Sequence, residues 1–387
     1  MDNYLKCQCG GILEVIYDYQ GMKLPPNPKE MWDYIDFLPI EERNNVVSLG
    51  ESISPLLEAK NLEKQLGLDN LYIKDYARNT TGSFKDRPNS VGISKAKEFG
   101  IDTIVIASSG NASSSAAAYA AKGNMRCIVF VPESTPKEKL VQARVYQAEV
   151  FKVKGHYSNA FRLAMEATSK YGWYNVTTTY LNPYTVEGNK VVAYELFEQI
   201  GVPDFIFVPI GAGPLLYGTL KGFKELKMMG KIDKYPRMVG VQAARCSPIV
   251  EAFEKNQREV KGWTKEIPTI ASGINDPLIG YENDGSLTLE AIYQSKGYGV
   301  KLQEEAILES IHSLAKEEGI FAEPAGAVGL GGVKQLVDKG VIKPADKVVV
   351  LVTGHGLKNI AILAQEELKL ISQLTDLNNN LTIKKEE

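Results

Sequence analysis

Residues 103–131, TIVIASSGNASSSAAAYAAKGNMRCIVFV, decide the fold class. The two ends of this stretch, 103–107 and 126–131, are short, apolar and rich in β-branched residues, as strands buried on both faces of a parallel sheet must be. Between them, 113–121 carries apolar positions at helical spacing. The same alternation continues along the chain. Segments 149–153, 205–209, 238–243 and 347–353 read as further strands, and 137–147, 158–171 and 303–318 as amphipathic helices. Parallel strands need crossover helices, so the pattern predicts an α/β protein of two open twisted sheets flanked by helices. Its ligand is expected at the carboxyl ends of the strands.

Composition narrows the function classes. A chain of 387 residues, 44% hydrophobic and 24% charged, can bury a large core without disulfides, and two domains fit that length. A net charge of −3 gives no electrostatic footing for nucleic acid or a membrane surface, which leaves small molecules as partners. The four cysteines, Cys7, Cys9, Cys127 and Cys246, are too sparse for a disulfide framework and suit a reducing cytoplasm. Cys7 and Cys9 lack the second ligand pair that a structural zinc site needs, so no metal is expected. No basic start leads into an apolar stretch at the amino terminus, and no uninterrupted apolar run is long enough to span a bilayer. The polar segment 377–387 would bury little surface and is expected to be disordered.

Three glycine-containing loops follow directly on predicted strands: SSGNASSS from Ser108, GAGPLLYG from Gly211 and TGHGLKN from Thr353. The first offers hydroxyls, an amide and backbone N–H groups ahead of an Ala-rich helix, whose positive end favours an anion such as a carboxylate. Capping by Ser109, Asn111 or Ser113 would explain one such residue but not the run. The second has the strand, loop and helix order with which backbone N–H groups cradle a phosphate, although many tight turns use glycine for geometry alone. A fourth segment, Thr81-Gly82-Ser83-Phe84-Lys85-Asp86-Arg87, sets a lysine between a glycine-led turn and an apolar helix. Burial there would lower the amine's pKa and let it attack an aldehyde; an ordinary lysine at a helix start would be solvated.

The word GSFKDR at 82–87 closely resembles the lysine motif of fold-type II enzymes that use pyridoxal phosphate (PLP), the threonine synthase family in particular. CGGILEVIYDY from Cys9, SSGNASSSAAAYAA from Ser108, NPYTVEGNKVVAYEL from Asn182, EPAGAV from Glu323 and LVTGHGLKN from Leu351 resemble further family segments in the same order. One such word arises easily by chance, and five in order do not. The resemblance implies that Lys85 is the Schiff-base lysine and the base that moves protons at Cα, with Phe84 beside the cofactor ring and Asn111 on the ring hydroxyl. It implies that Gly211, Ala212, Gly213 and Leu215 hold the cofactor phosphate. Ser109, Asn111, Ala112 and Ser113 would grip the substrate carboxylate. Thr353 would meet the ring nitrogen through a hydroxyl, which does not hold that nitrogen protonated and so favours elimination and replacement. Phe84 and Thr353 would also pass as core residues.

Two segments depart from the family. Its NPxRxEG pattern reads Asn182-Pro183-Tyr184-Thr185-Val186-Glu187-Gly188, with Thr185 in the place of an arginine that binds the substrate's phosphate. Its GNxGN loop loses both asparagines, to Ala212 and Leu215, and Pro88 replaces a glycine after the lysine motif. A phosphate ester without those partners forfeits charge-assisted bonds of about 1.5–3 kcal/mol each, which predicts weak turnover of O-phosphohomoserine. The implied activity is elimination or replacement on a small amino acid, nearest to threonine synthase. Serine or threonine deamination, β-replacement, or a catalytically silent binding protein on the same fold are the alternatives. The expected organisation is a large domain from 1–90 and 188–387 with a smaller mobile domain, 91–187, inserted in it, and PLP in the cleft. Family members are commonly dimers, so a homodimer is expected.

Overall fold

The computed structural model describes residues 5, 7, 9–155, 157–264 and 267–362; the tail at 377–387 lies outside them. The fold is α/β, built on two sheets. Leu56–Glu58 (β1) and Asn70–Asp75 (β2) flank the short helix Lys60–Leu66 (α1), and Asp86–Glu98 (α2) leads to the second sheet. That sheet contains Thr103–Ala107 (β3), Arg126–Pro132 (β4), Glu149–Val153 (β5) and Tyr174–Asn175 (β6), in the order β5-β4-β3-β6, all parallel. Its helices are Asn111–Lys122 (α3), Lys137–Val145 (α4) and Tyr157–Tyr171 (α5).

Helix Pro183–Ile200 (α6) returns the chain to the first sheet, which adds Phe205–Pro209 (β7), Arg237–Ala243 (β8), Tyr298–Leu302 (β9) and Lys347–Val352 (β10). The order is β1-β2-β10-β7-β8-β9, parallel except for β1 against β2. Helices Pro214–Met228 (α7), Pro248–Glu254 (α8), Glu282–Gln294 (α9), Glu304–Glu318 (α10) and Pro324–Asp338 (α11) complete the described strands and α-helices, to which short 3-10 turns are added. The six-stranded sheet thus draws on 56–75 and 205–352, and the four-stranded sheet on 103–175. Positions 90/91 and 187/188 fall inside α2 and α6, which pack directly on each other.

The continuous apolar runs have a simple cause. Along β7 and β10, Ile206, Val208, Val349 and Leu351 enter one core cluster, while Phe205, Phe207, Val348, Val350 and Val352 enter another on the opposite face. Side chains alternate across a strand, so both sets must be apolar when helices cover both faces. Strand β2, NLYIKD, escapes this reading because its Lys74 is buried in an ion pair, with Nζ 2.6 Å from Glu195 Oε2 on α6. Arg87 of α2 meets the same carboxylate, Nη1 to Oε1, at 2.5 Å. Removing Glu195 would leave two buried cations without their shared carboxylate, so the trio ties β2, α2 and α6 together.

Candidate active site

A cavity of about 910 Å³ lies at the carboxyl ends of both sheets, lined by the loops after β3, β4, β7 and β10 and by the turn that precedes α2. Two backbone bonds draw that turn to β10: Phe84 N–H donates to Thr353 O at 2.9 Å, and His355 N–H to Gly82 O at 2.9 Å. Thr353 therefore leaves the strand ladder one residue earlier than its sequence suggested and faces the cavity instead. Residues some 270 positions apart become neighbours by this stitch.

Lys85 stands at the start of α2. Its Nζ donates to Thr178 Oγ1 at 2.8 Å and lies 4.6 Å from the centroid of the Phe84 ring. Desolvation lowers its pKa to about 8, against the opposing pull of Asp276 and Glu323. Across the cavity, Asn111 Nδ2 donates to Glu323 Oε1 at 2.6 Å. Burial raises the Glu323 pKa, opposed by that hydrogen bond and by Lys358, Lys139 and Lys85.

Two helix starts point N–H groups toward this space. At α3, the N–H groups of Asn111, Ala112 and Ser113 donate to no protein acceptor among the described residues, and at α7 the same holds for Gly211, Ala212, Gly213 and Leu215. Unpaired donors at a helix amino terminus are a ready anion site. Gly213 precedes Pro214 with φ +97°, and a Cβ there would sit 2.3 Å from Thr288 Cγ2. Only glycine lets the loop turn into α7 at this approach.

Lys85, Phe84, Ser109, Asn111, Ala112, Gly211, Ala212, Gly213, Leu215 and Thr353 all line the cavity. The structure does not bring Ser113 or Thr185 to its wall. The Ser113 hydroxyl turns back to Gly110 O at 2.9 Å, leaving that residue only its N–H to offer. Thr185, in the first turn of α6, gives its hydroxyl to Asn182 O at 2.8 Å and packs its methyl toward Gly92 of α2. Thr178, Glu323, Lys139, Gln142 and Lys358 line the cavity without having been singled out for chemistry. Glu323 lay in the family word EPAGAV and could have been found there. Thr178 follows β6 in a stretch, TTTY, that carries no local signal.

These residues fit PLP. A desolvated amine suits its aldehyde, an N–H cradle with a Cβ-free turn suits its phosphate, and a strand-end hydroxyl suits its ring nitrogen. Among the described residues no cluster of three or more His, Cys, Asp or Glu side chains could hold a metal, and no helix is long and apolar enough to cross a membrane.

The comparisons agree with that fit. The family profile described as pyridoxal-phosphate dependent enzyme matches residues 47–354. Threonine synthase of Methanocaldococcus jannaschii is 40% identical over 93% of this chain and 91% of that protein. Threonine synthase of Methanosarcina acetivorans is 35% identical over 92% and 88%. Among solved structures, threonine deaminase isoform 2 from Solanum lycopersicum, in its processed form, superposes with a TM-score of 0.69 at 21% identity, covering 92% of this chain and 100% of that one. Maize serine racemase gives 0.68 at 19% identity, covering 80% and 90%. At such identity the two structures speak for the fold alone.

Proposed function

We propose, from the premise that the chain belongs to the pyridoxal-phosphate dependent enzyme family and is a PLP-dependent, threonine synthase-like lyase, that it converts O-phosphohomoserine and water into threonine and phosphate. The observation that carries the reading is the Lys85 amine, desolvated to a pKa of about 8 in a cavity faced by two helix starts with free N–H groups. PLP, when bound, supplies an electron sink for the pair released at the substrate's Cα. Lys85 would hold it, Gly211, Ala212, Gly213 and Leu215 would receive its phosphate, and Phe84, Asn111 and Thr353 would contact its ring.

The chain's own residues supply the rest. The N–H groups of Asn111, Ala112 and Ser113, with the Ser109 hydroxyl, orient the substrate carboxylate. Lys85 Nζ takes the Cα proton and redelivers protons along the carbon chain, kept on aim by Thr178 Oγ1. In the net reaction a Cβ proton is lost to base and the Cγ–O bond breaks with its electron pair leaving on phosphate, which leaves a Cβ–Cγ double bond. The elements of water then add, OH at Cβ and H at Cγ. Segment 91–187 is read as a smaller domain that closes over the substrate and excludes water. Two contacts across the cleft support that, Lys139 Nζ to Ser272 Oγ at 2.9 Å and Gln142 Nε2 to Thr81 O at 3.2 Å. A cytoplasmic homodimer completes the reading, supported by the free, buried thiol of Cys127 and by the resemblance to a family of dimers.

Thr185, away from the cavity and in an arginine's place, favours a second reading, deamination of serine or threonine. Purified holoprotein decides between them: threonine and phosphate are expected in equal amounts from O-phosphohomoserine. Keto acid from serine or threonine at a comparable kcat/KM, with no phosphate released, would refute the first reading. Borohydride reduction and peptide mapping should place the cofactor on Lys85, and a label elsewhere would remove the basis of both.

A further inference from the structure

Two ammonium groups in the cavity wall are held by neutral acceptors alone. Lys139 on α4 donates to Ser272 Oγ at 2.9 Å. Lys358, beyond the end of β10, donates to Thr81 O at 2.7 Å and to Gln142 Oε1 at 2.6 Å. Neither forms an ion pair with an acidic side chain among the described residues. The acids nearby are engaged elsewhere: Glu323 with Asn111, Asp86 with Thr81 N–H at 2.8 Å, and Asp276 with the Tyr281 hydroxyl at 2.6 Å. Glu138, beside Lys139, is exposed at the rim.

The two cations belong to one place. Lys139 and Gln142 lie three residues apart on α4 and so share a face, and Gln142 in turn accepts from Lys358. Burial pulls the pKa of both lysines below the ordinary value, with Glu323 opposing it in each. A partly desolvated ammonium whose direct partners are all neutral loses charge-assisted bonding, and an anion entering the cavity would supply it at both. Ser272 and Lys358 come from the part of the chain that follows the four-stranded sheet, whereas Lys139 and Gln142 stand on a helix within it. An anion between them would also fasten the two sides of the cleft.

We infer that Lys139 and Lys358, with the Ser272 hydroxyl and the Gln142 amide, form an anion subsite for the doubly charged leaving group of the substrate. It takes over the task of the arginine and asparagines whose places Thr185, Ala212 and Leu215 occupy. The ligand chemistry is a phosphate monoester or free phosphate, whose several acceptor oxygens suit two ammoniums and a hydroxyl. The assignment deepens the proposed reaction and rests on it for the identity of the leaving group.

Calorimetric titration of the PLP-loaded protein with inorganic phosphate tests it, because the cofactor already fills the α7 cradle. One site is expected, weakened roughly tenfold to a hundredfold in Lys139→Gln and in Lys358→Gln and restored by arginine at either position. In the same glutamine variants, KM for O-phosphohomoserine should rise by a similar factor while the cofactor's visible absorbance stays that of the parent. Equal phosphate affinity in parent and variants, or no binding by the parent, overturns the subsite. Phosphate binding that depends on both lysines, in a protein that does not turn over O-phosphohomoserine, leaves the subsite standing and removes the proposed reaction instead. A glutamine variant that does not load the cofactor is replaced by its arginine counterpart, which must bind phosphate as the parent does or the subsite is refuted.

Discussion

Replacing Gly213 by alanine should cripple the phosphate cradle, and the structure says by how much. The residue sits at φ +97°, where an L side chain costs about 1–2 kcal/mol. Its new Cβ would lie 2.3 Å from Thr288 Cγ2 and 2.4 Å from Thr288 Oγ1. Thr288 cannot simply swing away, since its hydroxyl donates to Ala212 O at 2.5 Å and shares a 2.8 Å hydrogen bond with the Tyr180 hydroxyl. Overpacking of that kind costs about 1–3 kcal/mol, so the total is about 2–5 kcal/mol. Spent on cofactor affinity, even the lower figure is roughly a 30-fold loss. The assay is titration of apoprotein with PLP, followed by its visible absorbance, with thermal unfolding of the apoprotein run in parallel to separate lost affinity from lost stability. Adding Thr288→Ala removes both the Cγ2 and Oγ1 contacts but leaves Cβ at 2.9 Å, still too close, so the double variant should regain part of the steric cost and none of the backbone cost. Binding by Gly213→Ala within about threefold of the parent, or no recovery in the double variant, would refute the reasoning.

Gly188 on α6 is a purely structural counterpart: a Cβ there would lie 2.5 Å from Arg87 O and 2.7 Å from Arg87 C, backbone atoms of α2. Gly188→Ala should lower the unfolding free energy by at least about 2 kcal/mol in urea, and an unmoved midpoint counts against this close helix contact. Lys85 makes a pH prediction whose sign follows from its folded pKa of about 8, below the unfolded value of about 10.4. Between those values the unfolded chain binds the proton and the folded chain does not, so apoprotein stability rises with pH across that window, by no more than about 3 kcal/mol. Lys74, also near 8, acts in the same direction, so the quantity to measure is the difference between parent and Lys85→Met. A difference that stays flat across the window sinks the claim.

Much of this could be read locally. Strands β3 and β7 stand where the apolar runs placed them, because a strand covered on both faces must be apolar at every position, and that is a property of five consecutive residues. Strand β5, EVFKV, also stands where it was expected, though it lies at a sheet edge and is largely exposed. The glycine-containing loops were legible for a related reason: strand-end turns into helices demand small residues wherever they occur. Strands β2, β6 and β9 were not legible. β2 carries Lys74, whose partner Glu195 is far away in the chain. β6 has two residues, too few for a period, and β9 lies at a sheet edge with only partial burial.

The candidate site divides along the same line. The sequence by itself determined that a lysine follows a glycine turn, that small-residue loops follow strands, and that an arginine's place is held by Thr185. Each of these is written in a few adjacent residues. Only the tertiary structure decided that Thr178 accepts from Lys85, that Glu323 faces Asn111, that Thr185 turns away from the cavity, and that Lys358 reaches Gln142 on the helix that carries Lys139. Whether a polar side chain is a solvated surface group or a desolvated partner depends on what the rest of the chain brings against it, and no local window contains that neighbour.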